Sequence, residues 1–179
     1  MSLHGLSRDA WNRYAAEGSW YYEILYPGFK YNLTDIAAAL GLAQLQKCER
    51  FWKTRDRLAG LYDEGLRNLP EIVRPHVDAH VQHAWHLYVI QLDLDRVNIN
   101  RNEFIQRLQQ AGVGCSVHFI PLHLHPYYRN TFGYQPADFP TANAVYQRIV
   151  SLPLYSRMTE TDIQRVIAVV RSIVEGSRR

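Results

Sequence analysis

Apolar residues recur at roughly helical spacing between residues 34 and 66. Thr34 is a predicted N-cap, and Asp35 suits the positive end of a helix in its first turn. The pattern predicts one long helix, straight or kinked, that ends near Leu66. Its apolar stripe consists of Ile36, Leu40, Ala43, Cys48, Phe51, Leu58, Leu61 and Tyr62.

Two later helices carry signals at both ends. Asn100 and Thr159 are each followed three residues later by an acidic residue, as in a capping box, and Gly112 and Gly176 mark the ends. Apolar residues between these limits repeat at helical spacing. The two predicted apolar faces consist of Phe104, Ile105, Leu108 and Ala111, and of Ile163, Val166, Ile167, Val170 and Val174.

Branched and aromatic runs predict the strands. Residues 85–94 (WHLYVIQLDL) and 114–120 fit strands, 149–154 fits a further short extended segment, and a short helix is expected over 141–148. This order predicts the α/β class: a short, mostly antiparallel sheet covered by helices and preceded by the long helix.

Residues 1–33 follow neither a helical nor a strand period and are rich in aromatic side chains. Such a segment needs another surface to pack on. We therefore predict two parts, an irregular segment over 1–33 and a folded part over 34–179. The aromatic residues of the first part are Trp11, Tyr14, Trp20, Tyr21, Tyr22, Tyr26, Phe29 and Tyr31.

Composition narrows the class of protein further. A chain of 179 residues that is 47% hydrophobic can bury a core, and its net charge of +3 is spread without a basic block, which argues against nucleic-acid binding. No apolar run approaches the roughly 20 residues that span a bilayer, so we expect a cytoplasmic protein that does not bind membranes. Cys48 and Cys115 are expected to be buried free thiols.

The sequence GFKYNLTD at 28–35 places a lysine and an amide directly before a predicted helix N-terminus. Free N–H groups and the helix dipole attract anions at such a position, so Lys30 could contact a phosphate. Lysine is also the residue most often exposed to solvent. From these residues alone, a phosphate ligand and a solvated turn lysine both stay open.

Histidines form two further groups. His118, His123 and His125 lie near Cys115, but their spacing matches no known zinc pattern, so a role in hydrogen bonding or substrate contact is the main alternative to a metal site. In the segment 83–86 (HAWH), strand alternation would place His83 and Trp85 on one face and His86 on the other. A purely structural role is the competing interpretation.

Five motifs in the same order resemble the C-terminal half of the DegT/StrS family of sugar aminotransferases. They are HGLSRDA (4–10), PGFKYNLTDIAAALGLAQ (27–44), HAWHLYVI (83–90), GVGCSVH with PLHLHPYYR (112–129), and SLPL with Met158 and Thr159 (151–159). The stretch GFKYNLTDI is most similar to the enzymes that make UDP-4-amino-4-deoxy-L-arabinose for lipopolysaccharide modification. This likeness implies a 4-keto nucleotide sugar as substrate and glutamate as amino donor.

The resemblance also implies a fold and a set of site residues. Family members are homodimeric fold-type-I enzymes that use pyridoxal phosphate, and the turn before the long helix reaches the cofactor phosphate of the other subunit. Lys30 and Asn32 then become phosphate ligands, with Tyr31 beside them. His118, and less directly His86, would lie near the nucleotide sugar. No metal site is implied.

The resemblance places the Schiff-base lysine in a large domain upstream of this chain. We therefore expect this chain to correspond to the small C-terminal domain, to bind no pyridoxal phosphate by itself and to be inactive alone. A stand-alone module that dimerises or binds a partner without catalysis is the alternative.

Overall fold

A computed structural model describes residues 23–179, which divide into two compact units between Cys48 and Glu49. The motif at 4–10 and five of the aromatic residues predicted to pack elsewhere (Trp11, Trp20, Tyr14, Tyr21 and Tyr22) lie outside the described residues. Each unit is described separately below.

The described part of the first unit centres on helix α1 (Asp35–Leu45), which Thr34 caps as predicted. None of its residues is buried, and Ile36 and Leu40 are 78% and 62% exposed. The predicted apolar stripe is therefore not buried in this part of the chain. Apolar side chains surround α1 on every side, so no single face is selected for a core.

The predicted long helix is broken. After α1 the chain turns at Gln46 and Lys47 and continues as α2 (Cys48–Leu66). Lys47 N–H donates to Gln44 O at 2.9 Å, a bond across three residues that closes α1 in a tighter turn. The prediction of one long helix, straight or kinked, is correct in its outer limits, and the structure interrupts the helix at Gln46 and Lys47.

The second unit contains a three-stranded antiparallel sheet in the order β1 (Ile72–Val73), β2 (Tyr88–Leu92) and β3 (Ile149–Leu152). Tyr88 pairs with Leu152 and Ile72 with Leu92. Strand β2 alternates between buried and half-buried residues and is shorter than predicted at both ends. The two-residue strand β1 was not predicted, because two residues are too few to show a period.

Helices α3 (Arg101–Gln110) and α6 (Glu160–Glu175) confirm the capping predictions, since both have complete capping boxes. All five residues of the α6 stripe are buried. The core combines these helices with α2 and the sheet, and Phe104, Tyr62 and Tyr88 are its largest fully buried side chains. Short helices α4 (Pro126–Phe132) and α5 (Pro140–Tyr146) lie between α3 and β3.

The strand predicted over 114–120 does not form. Only Ser116 pairs, in an isolated bridge in which its backbone exchanges two hydrogen bonds with Ser151. An antiparallel ladder continued from this pair would reach Pro153, which has no N–H to donate. Pro153 therefore limits the pairing in that direction.

Helices α2 and α6 approach closely at a glycine. A Cβ atom built on Gly65 would lie 2.4 Å from Ile167 Cδ1 and 3.0 Å from two other atoms of the same side chain. Ile167 is buried and β-branched, so it has little freedom to move aside. A Cβ at Gly60, in the same helix, would meet nothing within 4 Å.

We predict opposite effects for alanine at these two glycines. Gly65→Ala should lower the free energy of unfolding by about 1–3 kcal/mol through overpacking. Gly60→Ala should raise it by about 0.5–1 kcal/mol, because alanine is the better helix former. Urea denaturation of both variants measures the difference, and equal effects would show that α2 and α6 do not approach closely at Gly65.

The last residues of the chain are tied to the second unit. Arg178 pairs with Val97 in an isolated bridge, and its Nε donates to Glu71 Oε1 at 2.5 Å. Glu71 is 3% exposed, and its Oε2 atom has no hydrogen-bond partner. Burial raises the pKa of Glu71, but the hydrogen bond and charge of Arg178 outweigh burial and leave the pKa below its ordinary value.

Because its pKa is lowered in the folded state, ionised Glu71 contributes to the free energy of unfolding. This contribution is fully present above the unfolded-state pKa and is lost as the pH falls through the folded-state pKa. Arg178→Met removes the partner and leaves a buried carboxylate, at a loss of about 1–3 kcal/mol near pH 7. The loss should shrink at acidic pH, because protonation of Glu71 removes the buried charge that Arg178 compensates. Urea denaturation at pH 7 and across the acidic range tests this, with the exposed Arg157→Met as control; a loss independent of pH would contradict it.

Candidate functional site

The first candidate element is the turn before α1. Lys30, Tyr31 and Asn32 are all exposed and lie just before the N-cap residue Thr34. The rings of Tyr31 and Phe29 stack with centroids 5.1 Å apart. Thr34 Oγ1 accepts from Ala37 N at 3.3 Å and satisfies one N–H group at the helix N-terminus. The turn therefore offers an exposed ammonium and an exposed amide beside the positive end of a helix.

The segment 83–86 is not a strand. Pairing in β2 begins at Tyr88, and Trp85 has a φ of 48°, in the left-handed region. Trp85 is buried, whereas His83 and His86 are both exposed. The strand on which the predicted alternation rested does not form over 83–86, although the rings of His83 and Trp85 still meet edge-on with centroids 4.4 Å apart.

Four hydrogen bonds between α2 and this segment fix its conformation. Arg55 Nη1 donates to the carbonyl oxygens of Trp85 and His86, at 2.8 and 3.1 Å. Asp56 Oδ1 accepts from Trp85 Nε1 at 2.8 Å, and Trp52 Nε1 donates to His83 O at 2.9 Å. The backbone N–H of Trp85 also donates to His83 Nδ1 at 3.1 Å.

His118 is half-buried beside strand β3. Its Nδ1 atom lies 2.8 Å from Ser151 Oγ, and its ring meets Phe119 edge-on with centroids 4.8 Å apart. Ser151 neighbours Leu152, which pairs with Tyr88 at the start of β2. The sheet register therefore brings the segment that carries His86 and the anchor of His118 to the same end of the sheet.

The other candidate residues, which include His123 and the two cysteines, do not form a metal site in the described residues. His123 is buried with its ring stacked on Phe139 at 4.6 Å and its Nε2 atom without a partner. No three His, Cys, Asp or Glu side chains in residues 23–179 come together in a group that could hold a metal ion. Both cysteines are free, but Cys48 is exposed and Cys115 only half-buried, so the prediction of two buried thiols is wrong. Burial raises the pKa of the Cys115 thiol.

Two features of this region were not predicted. Ser151 is part of the motif SLPL, but its contact with His118 joins residues 33 positions apart. Arg55 carries one of many charges on α2, and nothing in its local sequence distinguishes it from the exposed Arg57. Both roles depend on tertiary contacts, which no local period or cap reveals.

Known proteins match the chain over nearly its whole length. The profile of the DegT/DnrJ/EryC1/StrS aminotransferase family matches residues 1–171. The uncharacterized protein MJ1066 of Methanocaldococcus jannaschii is 52% identical, and the spore coat polysaccharide biosynthesis protein SpsC of Bacillus subtilis is 48% identical. Each alignment covers 99% of this chain and 46% of the relative.

A solved structure agrees with these matches. The putative sugar aminotransferase Spr1654 from Streptococcus pneumoniae, in its PMP-form, superposes with a TM-score of 0.79 and 32% identity. The superposition covers 98% of this chain and 43% of that one. The same protein has also been solved in a PLP-form, with a TM-score of 0.77 and 30% identity.

The α/β fold, with its short antiparallel sheet between helices, is that of pyridoxal-phosphate aminotransferases. The chain belongs to the DegT/DnrJ/EryC1/StrS aminotransferase family, whose solved members include PLP-forms. It spans about half the length of the curated relatives it matches. No helix within residues 23–179 is long and apolar enough to cross a membrane.

The residues present fit one end of the cofactor. Lys30 and Asn32 offer a cation and an amide that suit a phosphate, and both are exposed at the N-terminal side of α1. The chain has two other lysines, Lys47 and Lys53. Lys53 is exposed and Lys47 half-buried on the helical part of the chain. The turn before α1 thus places a cation and an amide of the kind that suits a phosphate beside a helix N-terminus.

Proposed function

We propose that this chain forms the small C-terminal domain of a pyridoxal-phosphate aminotransferase that transfers an amino group from glutamate to a 4-keto nucleotide sugar. Membership of the family supports amino transfer. The likeness of GFKYNLTDI to the enzymes of 4-amino-4-deoxy-L-arabinose synthesis favours the 4-keto sugar and the glutamate donor. The exposed turn at Lys30 carries the structural part of the proposal.

In this proposal the cofactor supplies the electron sink for amino transfer. Lys30 provides a mobile positive charge to the cofactor phosphate of a second subunit, and the Asn32 amide donates a hydrogen bond to it. Tyr31 flanks the same group. The residues over 1–33 pack on the large domain and on the dimer mate.

His118 and His86 contact the nucleotide sugar in this proposal. The bond between Nδ1 of His118 and Ser151 orients the ring, so the substrate meets Nε2. Ser151 is 4% exposed and fixed in β3, which makes it a stable anchor for the ring. His86 offers an exposed imidazole at the same end of the sheet.

The cofactor contact can be tested in a chimera in which this chain replaces the matching 46% of the Bacillus subtilis relative. Lys30→Ala should weaken pyridoxal-phosphate binding by about 1.5–3 kcal/mol, the worth of a hydrogen bond to a charged group. Cofactor dissociation followed by absorbance measures the effect. Lys53→Ala removes the same charge from the exposed side of α2 and should change nothing.

An unchanged dissociation constant in Lys30→Ala would leave Lys30 as a surface lysine and remove the structural support for the proposal. Conversion of the cofactor to its amino form on addition of glutamate tests the donor separately. Failure of glutamate, with cofactor binding intact, would contradict only the donor.

The exposed apolar residues of α1 predict self-association of the chain. Ile36, Leu40, Leu42 and Leu45 are each more than 60% exposed, an unusual density of apolar side chains for the surface of a monomer. Leu40→Glu should shift the equilibrium toward monomer without unfolding α1, because glutamate is a good helix former. Sedimentation equilibrium measures the shift, with Val81→Glu, 47% exposed in the second unit, as control. A wild-type chain that stays monomeric at high concentration would contradict the prediction.

A further inference from the structure

His86 lies on the opposite face from the one that a regular extension of β2 to residue 86 would give it. Tyr88, Ile90 and Leu92 are the fully buried residues of β2 and alternate with half-buried ones. His86 precedes Tyr88 by two residues, so a regular strand would bury its imidazole beside the core. In the structure His86 is exposed, and its neighbour Trp85 is buried instead.

The exchange of faces arises at Trp85. Its φ of 48° lies in the left-handed region, which a bulky side chain rarely adopts, and Trp85 is the only non-glycine residue with positive φ within residues 23–179. One left-handed residue reverses the direction of the chain locally and interrupts the alternation of side chains. The indole then packs on Tyr88, with ring centroids 5.8 Å apart, while His86 turns outward.

Helix α2 holds this unfavourable conformation in place. Arg55 binds two successive carbonyl oxygens, those of Trp85 and His86, and so fixes the peptide between them. Asp56 holds the indole N–H at the buried end. Hydrogen bonds with an ionised partner are stronger than neutral ones, and Arg55 forms two of the three such bonds to this segment.

Strained backbone persists only where its surroundings enforce it, and such residues cluster at functional sites. The hydrogen bonds from Arg55 and to Asp56 hold Trp85 in this conformation, and they leave the imidazole of His86 pointing away from the core.

We propose that Arg55 and Trp85 are positioning residues. Together they hold His86 outward, where it can contact the nucleotide sugar. This inference rests on the substrate contact proposed above for His86. Arg55 acts through the backbone of residues 85 and 86 and touches no substrate itself. The ligand class is a nucleotide sugar, to whose hydroxyl or phosphate oxygens the imidazole can donate a hydrogen bond.

The first test needs no ligand and uses the 179-residue chain. Carbethoxylation of each histidine is followed by mass spectrometry, with the exposed His80 as internal standard. In Arg55→Ala the rate for His86 relative to His80 should fall by about fivefold or more, since a buried ring reacts only after local opening. Arg57→Ala, which removes the same charge from an exposed site on α2, should leave the ratio unchanged.

Arg55→Gln keeps an N–H donor and should give an intermediate ratio. It also carries the test if circular dichroism shows that Arg55→Ala does not fold. A ratio that stays unchanged or rises in the folded Arg55 variants would overturn the inference.

The second test measures UDP-glucose binding to the chimera described above. His86→Ala should raise the dissociation constant by about 3- to 10-fold, the worth of one hydrogen bond. Arg55→Ala should raise it by a similar factor, and the double variant by no more, because both changes remove the same contact. Additive losses, or wild-type affinity in Arg55→Ala, would overturn the positioning role.

The two tests together distinguish a failure of this inference from a failure of the proposed function. A wild-type chimera that binds no UDP-glucose would overturn the proposed nucleotide-sugar contact, and the carbethoxylation ratio would still decide whether Arg55 positions His86. Binding that depends on His86 but not on Arg55 would overturn only the present inference.

Discussion

The contact between α2 and β2 is the interaction on which the rest of the second unit depends. Tyr62 and Tyr88 are both fully buried, and their rings lie 4.8 Å apart. Each hydroxyl has a partner, since Tyr62 donates to Pro153 O at 2.8 Å and Tyr88 to Asp63 Oδ1 at 2.6 Å. Burial raises the pKa of both phenols above the ordinary value, so both stay neutral donors. Two large rings thus enter the core without an unsatisfied polar atom.

This contact also sets the surroundings of the candidate substrate residues. Tyr88 fixes the start of β2, and Trp85 packs on it from the preceding segment. Strand β3 pairs alongside and places Ser151 where it can hold His118. The histidines therefore take their positions from the packing of α2 on the sheet, although neither of them belongs to α2. A change in that packing would therefore move both histidines.

Local signals predicted what local interactions determine. The capping boxes that begin α3 and α6 and the apolar stripe of α6 follow from residues within one or two turns of each other. The strand predicted over 114–120 is reduced to one bridge at Ser116, and Pro153, far along the chain, limits its pairing in one direction. The outward position of His86 likewise depends on a distant residue, since Arg55 lies 31 residues away in sequence. The motifs nevertheless identified the family, because they record tertiary constraints that periodicity does not.

Pro153 and the short strands limit how far this sheet can pair with a strand of another chain. Strand β1 has only two residues at one edge of the sheet, and on the other side β3 already exchanges hydrogen bonds with Ser116 and runs into a proline. Neither edge of this sheet offers the row of unpaired N–H and C=O groups that recruits a foreign strand. Two copies of the second unit therefore cannot readily join their sheets through backbone hydrogen bonds. Any association between them uses side-chain surfaces, which can separate without breaking a backbone ladder.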